Sequence, residues 1–253
     1  MKVMIDPGHG GRDPGAIGPT GLRESDVALS VSKALFALLE PIVSCRLTRE
    51  RDVALGSDVN RDLQERVRIA NAYDASVFIS IHCNAATAVA ARGIETYCYM
   101  RGGNGEKLAQ LIQKNLVQAL GLLDRGVKTA SFYVIRHTKM PAVLVELGFI
   151  TNPEEEKLLR EKSFQQKAAQ AIAEAVATHF GLSLPKESEI MSKGPFPDVP
   201  MDRWSAKEIQ EALDRGIVQG DDKGNFNPQR ALTREEGVTL INRAINYLLS
   251  QQK

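Results

Sequence analysis

The chain has 253 residues, 32 basic and 31 acidic side chains, and a formal net charge of +1. That balance excludes a polyanion binder acting through bulk charge, because counterion release on nucleic acid calls for an excess of Lys and Arg. Hydrophobic residues at 43% and charged residues at 25% exclude a disordered or collagen-like chain.

In chain order, Val3, Met4 and Ile5 form a short apolar run that ends in a Gly-rich turn. Residues 26–39 place Val27, Val31, Leu35 and Leu38 at helical spacing, with Pro41 beyond. Residues 61–73 read as a second helix with mixed charges. Val77 to His82 is almost continuously apolar, as expected of a strand covered on both faces. A further strand is predicted at 94–99, a helix at 105–120 ending at Gly121, and a buried strand from Ala142 to Leu147. Residues 164–180 set Phe164, Ala168, Ile172, Val176 and Phe180 on one helical face, with Gly181 as the stop. This alternation predicts an α/β layer architecture for residues 1–181.

Residues 182–195 are polar and carry Pro185 and Pro195, the composition of a linker. Residues 196–253 form a separate unit with helical patterns at 205–215 and 233–249 around a Gly/Asp/Asn-rich turn. At about 55 residues it is marginal for independent folding, so it is expected to pack on the first domain or on another copy of itself.

Three cysteines, Cys45, Cys83 and Cys98, are too few for a disulfide scaffold. Their apolar neighbours predict buried, neutral thiols. No apolar run approaches the ~18–20 residues that span a bilayer. Met1 to Ile5 leads straight into Asp6-Pro7-Gly8, too short for a signal-peptide core. The expectation is a chain made in the cytoplasm or a trimmed secreted one.

The polar residues at the ends of the apolar strands are the candidates for chemistry. His9 follows the first strand in Asp6-Pro7-Gly8-His9-Gly10-Gly11; His82 and Glu146 are predicted to end two others. In open α/β sheets binding crevices form at that edge, so parallel neighbours would bring the three together. Glu24 precedes the helix at 26–39. Each has a plainer role: a turn residue, a core histidine, a helix-dipole partner. For Glu146 the plain role is the weakest, because a carboxylate inside Val-Leu-Val-Glu-Leu-Gly is costly to bury without a partner. His137 reads as a solvated loop residue and His179 as a dipole partner in a last helical turn. The Gly-rich segment has neither GxxxxGK[ST] nor GxGxxG, which argues against a phosphate loop.

These motifs, taken together, resemble a known family. Ile5 to Gly11, Asp13 to Ala16, Gly21-Leu22-Arg23-Glu24, Leu47-Thr48-Arg49, Glu65-Arg66, Ala70-Asn71, Ser80 to Ala85, and Met140 to Phe149 with Asn152 resemble the zinc-dependent N-acetylmuramoyl-L-alanine amidases of bacterial autolysins and phage endolysins. The resemblance covers residues 1–181 in order. It implies a twisted, mixed sheet flanked by helices, Zn²⁺ bound by His9, Glu24 and His82, and Glu146 as the catalytic carboxylate. Two imidazoles and a carboxylate leave a fourth position open, as in catalytic rather than structural zinc sites. The reaction implied is hydrolysis of the amide between N-acetylmuramic acid and L-alanine in peptidoglycan.

Residues 196–249 resemble a single S-layer homology motif. Phe196-Pro197-Asp198-Val199, Trp204, Gly216-Ile217-Val218, Gly224 to Pro228 and Leu232-Thr233-Arg234-Glu235-Glu236 carry the match. It implies binding to a secondary cell-wall polymer, with Arg234 contacting an acid group bidentately. The alternative is an ion pair of Arg234 with Glu235 or a neighbour. One motif stands where such proteins usually carry three, which leaves open a lone binder, association of chains, or a packing module. Trp204 is expected in the core rather than as a sugar platform. The rival to a cell-wall hydrolase is a non-catalytic wall-binding protein on the same scaffold; a soluble-amide hydrolase is a third reading. Action at the cell wall without a signal peptide suggests release through a holin.

Overall fold

A computed structural model describes residues 1–185, 194–201 and 203–250. The chain divides into two compact units, Met1–Leu184 and Pro185–Lys253. Most of the predicted linker, residues 186–193, lies outside the described residues.

The first unit runs β1 (Lys2–Pro7), α1 (Glu24–Leu39), β2 (Ser44–Leu47), α2 (Val59–Tyr73), β3 (Val77–Asn84), β4 (Ile94–Cys98), α3 (Asn104–Leu120), β5 (Asp124–Thr129), α4 (Tyr133–His137), β6 (Ala142–Phe149), α5 (Pro153–Arg160) and α6 (Lys162–His179). The sheet order is β2-β1-β3-β6-β4-β5. Its strands are parallel except that β4 runs antiparallel to β6. The predicted mixed sheet flanked by helices is therefore present, and β1, β3 and β6 are parallel neighbours.

Side chains alternate across each strand, and the alternation sorts the core into two layers. Val3, Ile5, Val77, Ile79, Ile81, Val143 and Val145 join α1, α3 and α6 in the larger cluster. Met4, Phe78 and Leu144 point the other way, into a smaller cluster with Val67, Val134 and Tyr133 from α2 and α4. That second cover is the thinner one, a smaller cluster under α2 and the 5-residue α4. Along this face each strand turns polar toward its C-terminal end: Met4 gives way to Asp6, Phe78 to Ser80 and His82, Leu144 to Glu146. The periodicity of two thus builds both a core and a polar floor from strands that read as uniformly apolar.

Phe164, Ala168, Ile172 and Val176 of α6 are buried as predicted, and Gly181 leaves the helix with φ +67°. Three cysteines are free thiols, but only Cys83 and Cys98 are buried. Cys45 is only partly covered because β2 is an edge strand, a correction to the expectation of burial. Among the described residues no helix is long and apolar enough to cross a membrane.

The second unit contains α7 (Ala206–Asp214) and α8 (Arg234–Ser250). Its core is Phe196, Val199, Ala206, Ile209 and Val218, with the Phe196 ring stacked on Phe226 at 5.2 Å. The Asp198 carboxylate accepts the N–H groups of Phe226 and Asn227 at 2.9 and 2.7 Å, tying two separated motif blocks together. Trp204 is 87% exposed. The expected core position is overturned: Trp204 sits in the turn before α7, outside the cluster that forms this core. On α8, Val238, Ile241, Ile245 and Leu248 are exposed.

Candidate functional site

The strand ends open into a cleft of about 680 Å³ lined by His9, Glu24, His82 and Glu146, with Leu63, Phe132 and Tyr133 among its apolar wall. His82 and Glu146 do not end their strands, as the sequence pattern suggested; β3 runs on to Asn84 and β6 to Phe149. They are register partners on adjacent strands. Glu24 is the first residue of α1 rather than a residue before it. His9 lies beyond β1 with φ +58°.

Three of these side chains converge. The His9, Glu24 and His82 ligand atoms lie within 4.8 Å of one another. Glu24 Oε1 is 3.1 Å from His9 Nε2 and 2.8 Å from His82 Nδ1. The other Glu24 oxygen accepts the Ala16 N–H at 2.9 Å. His9 Nδ1 is 2.8 Å from Asp13 Oδ2, a carboxylate behind the imidazole of the kind that orients metal-ligating histidines. Glycines make the space: a Cβ on Gly8 would lie 2.3 Å from the His82 ring, and one on Gly15 would lie 2.6 Å from Glu24 Oε2. Two imidazole nitrogens and a carboxylate oxygen facing one point, in a cradle kept free of side chains, fit a divalent cation.

Charge binds the cluster together. Burial alone would raise Glu24, but hydrogen bonds and charge from His82 and His9 hold it well below the usual carboxylate range. Burial works against a charged His9, yet Glu24 and Asp13 outweigh it and raise its pKa to about 9. Glu146 behaves oppositely. Burial, then the charges of Glu24 and Glu95, push its pKa up to about 8. Its Oε2 is buried without a hydrogen-bond partner. Glu95, its antiparallel register partner on β4, is buried and paired with Arg125 and with Lys128 at 2.8 Å.

The remaining predicted residues lie elsewhere. His137 is the last residue of α4, not a loop residue, with its ring stacked on Tyr133 at 4.2 Å. His179 sits in the last turn of α6 as expected. Arg234 opens α8 and is exposed, and it forms no ion pair among the described residues. Its motif is instead a helix cap: Thr233 Oγ1 accepts the Glu236 N–H at 3.2 Å while Glu236 accepts the Thr233 N–H at 2.9 Å. Arg230, not Arg234, pairs with Glu236 at 2.5 Å. Asp13, Arg49 and Arg66, which stand in the matched motifs, had no assigned role in the sequence; their partners are set by the fold.

The N-acetylmuramoyl-L-alanine amidase family model matches residues 3–178, and the S-layer homology domain model matches residues 195–236. The chain is 41% identical over 180 residues to the N-acetylmuramoyl-L-alanine amidase LytC of Bacillus subtilis, covering 70% of this chain and 35% of that one. It is 37% identical over 207 residues to an endolysin of Bacillus phage SPP1, covering 76% of this chain and 73% of that one. Among solved structures, the catalytic domain of CwlV, an amidase from Bacillus (Paenibacillus) polymyxa var. colistinus, superposes with a TM-score of 0.67 at 35% identity, covering 72% of this chain and 99% of that one. The chain belongs to the N-acetylmuramoyl-L-alanine amidase family, enzymes that hydrolyse peptidoglycan, and it carries an S-layer homology domain behind the amidase domain.

Proposed function

We propose that His9, Glu24 and His82 hold a zinc ion and that Glu146 carries the proton in the amidase reaction. The supporting observation is the convergence of three ligand atoms in one cleft with a buried carboxyl oxygen that has no protein partner. A bound zinc ion supplies Lewis acidity, polarising the lactyl carbonyl oxygen and lowering the pKa of water toward ~7. The chain's own residues supply the rest. Asp13 engages Nδ1 of His9 and leaves Nε2 directed at Glu24 and the cleft. Glu146 accepts a proton from the attacking water and returns it to the departing alanine nitrogen, without which an amide leaves poorly. Burial raises the Glu146 carboxyl above the ordinary carboxylate range, which brings its proton affinity nearer to neutral pH, and the step starts from its ionised form. Leu63, Phe132 and Tyr133 give the cleft an apolar wall, against which the substrate displaces water.

We read residues 1–181 as the catalytic domain, 182–195 as a linker and 196–253 as a module that binds a secondary cell-wall polymer, with Arg234 as a contact for its acid groups. Among the described residues Arg234 has no competing ion partner, which suits that role. The exposed face of α8 is the surface through which self-association would run. The place of action is the bacterial cell wall, with release through a holin as the route to test. Peptidoglycan hydrolysis followed by the appearance of free L-alanine amino groups tests the mechanism. Exhaustive chelation abolishes that signal and added zinc restores it; full activity after chelation sinks the zinc assignment.

A further inference from the structure

Arg49 is 3% exposed, yet it forms no ion pair with any carboxylate among the described residues. Every donor it uses goes to a backbone carbonyl. Nε donates to Pro7 O at 3.0 Å, Nη1 to Arg51 O at 3.2 Å, and Nη2 to Gly8 O at 2.7 Å and Ser25 O at 3.0 Å. Asp6, Asp52 and Asp62 offset its charge only from farther off, and burying a cation that no carboxylate touches is costly. The position of these carbonyls gives that cost a purpose. Pro7 and Gly8 precede His9, and Ser25 follows Glu24. One guanidinium therefore joins the two segments that carry two of the three converging ligands.

A second buried arginine completes the arrangement. Arg66 donates to His9 O and Pro7 O, each at 2.6 Å, while Asp6 and Asp62 balance its charge at 2.8 and 2.6 Å. His9 needs this support: a non-glycine residue in the left-handed region is strained. Gly10 shows how closely Arg49 is seated, since a Cβ there would lie 2.8 Å from Arg49 Nε. The third ligand is tied to the same turn through Gly8 N–H, which donates to Ile81 O, next to His82, at 3.0 Å.

We propose that Arg49, together with Arg66, is a positioning residue of the metal site, fixing the His9 turn against the start of the Glu24 helix so that the ligands stand ready before a cation arrives. The proposal rests on the metal-site reading above. Its reach differs from that of Asp13, which orients one imidazole; Arg49 sets the separation between two ligand segments.

The full-length chain is stripped of metal and titrated with zinc against a chelating dye, for wild type, Arg49→Lys and Arg66→Lys. Lysine keeps each charge but cannot span the carbonyls a fork reaches. Zinc affinity is expected to fall about 10–100-fold in each variant that keeps the wild-type near-ultraviolet circular dichroism. Cobalt(II) loaded in place of zinc is expected to show an altered visible absorption spectrum, while KM for cell wall stays unchanged. Folded variants that bind zinc within about twofold of wild type overturn the proposal and leave the metal reading intact. A wild-type chain that binds no zinc overturns both. If neither variant folds, amide exchange in the metal-free wild type decides. A clamped turn keeps the Gly8 and Gly10 amides as slow as those of β1, and exchange at free-loop rates refutes it.

Discussion

Replacing Glu146 by glutamine is expected to make the metal-free chain more stable while removing its activity. The folded-state pKa of Glu146 is raised from 4.5 to about 8. For an acid raised in this way, folding carries no penalty below pH 4.5, an increasing one between, and the full one above pH 8. At pH 7 the relevant gap is about 2.5 pH units, or about 3 kcal/mol at roughly 1.36 kcal/mol per unit. Glutamine carries no such penalty. The amide carries one more N–H than the protonated acid, and leaving it unpaired where Oε2 has no partner offsets about 1–2 kcal/mol of the gain. In excess chelator at pH 7, Glu146→Gln is therefore expected to melt ~2–8 °C higher than wild type. Reloaded with zinc, it loses the proton carrier, a deficit of about 10²–10⁴-fold in turnover. The assays are thermal unfolding by circular dichroism and release of alanine amino groups from purified wall. A variant that turns over at near wild-type rate, or that melts lower than wild type in chelator, refutes the reasoning.

Other outcomes follow from the same geometry. His82→Ala is expected to fold but to retain less than about a tenth of the zinc held by wild type, as measured by atomic absorption after gel filtration. The metal-free chain is expected to lose stability as pH rises from about 6.5 to 9: the raised pKa of His9 makes its contribution complete below its unfolded value and absent above the folded one. Urea unfolding across that range checks it, and a flat profile contradicts it. Arg234→Ala is expected to weaken co-sedimentation with polymer-bearing wall without changing the rate on a soluble muramyl peptide. Trp204→Ala is expected to change stability by no more than about 0.5 kcal/mol, since the ring is 87% exposed; a larger loss in thermal unfolding would place the ring in the core.

The sequence makes legible what is buried on both sides. β1, β3 and β6 are continuous apolar runs because helices cover both faces, and the residues that break those runs, His82 and Glu146, stand out for the same reason. β2 and β5 stay hidden. Ser-Cys-Arg-Leu and Asp-Arg-Gly-Val-Lys-Thr occupy sheet edges, where burial on one side or neither demands no apolar run. Helix α5 is short, and its start is set by the Asn152 side chain accepting the Glu154 and Glu155 N–H groups. His9, His82 and Glu146 could be singled out from their places near strand ends and Glu24 as a ligand only through the family resemblance, but the supports of the site could not be read at all. Arg49 and Arg66 reach backbone carbonyls some 24–59 positions away, and no spacing rule encodes such a bond. Trp204 shows the opposite failure: a general preference for burial does not tell that this residue falls in the turn before α7, outside the core cluster.

The thinner cover over the reacting face has a consequence for how the enzyme meets its substrate. A cross-linked wall is a solid and cannot diffuse into a deep chamber; it has to be approached as a surface. His82 and Glu146 lie on the face covered by α2 and the 5-residue α4 and open into the cleft. Encounter is then a search across a material rather than through a solution. Rate on intact wall should depend on exposed area and crowding of bound enzyme, and saturate as the surface fills, while the same chain on a small dissolved muramyl peptide should follow ordinary hyperbolic kinetics.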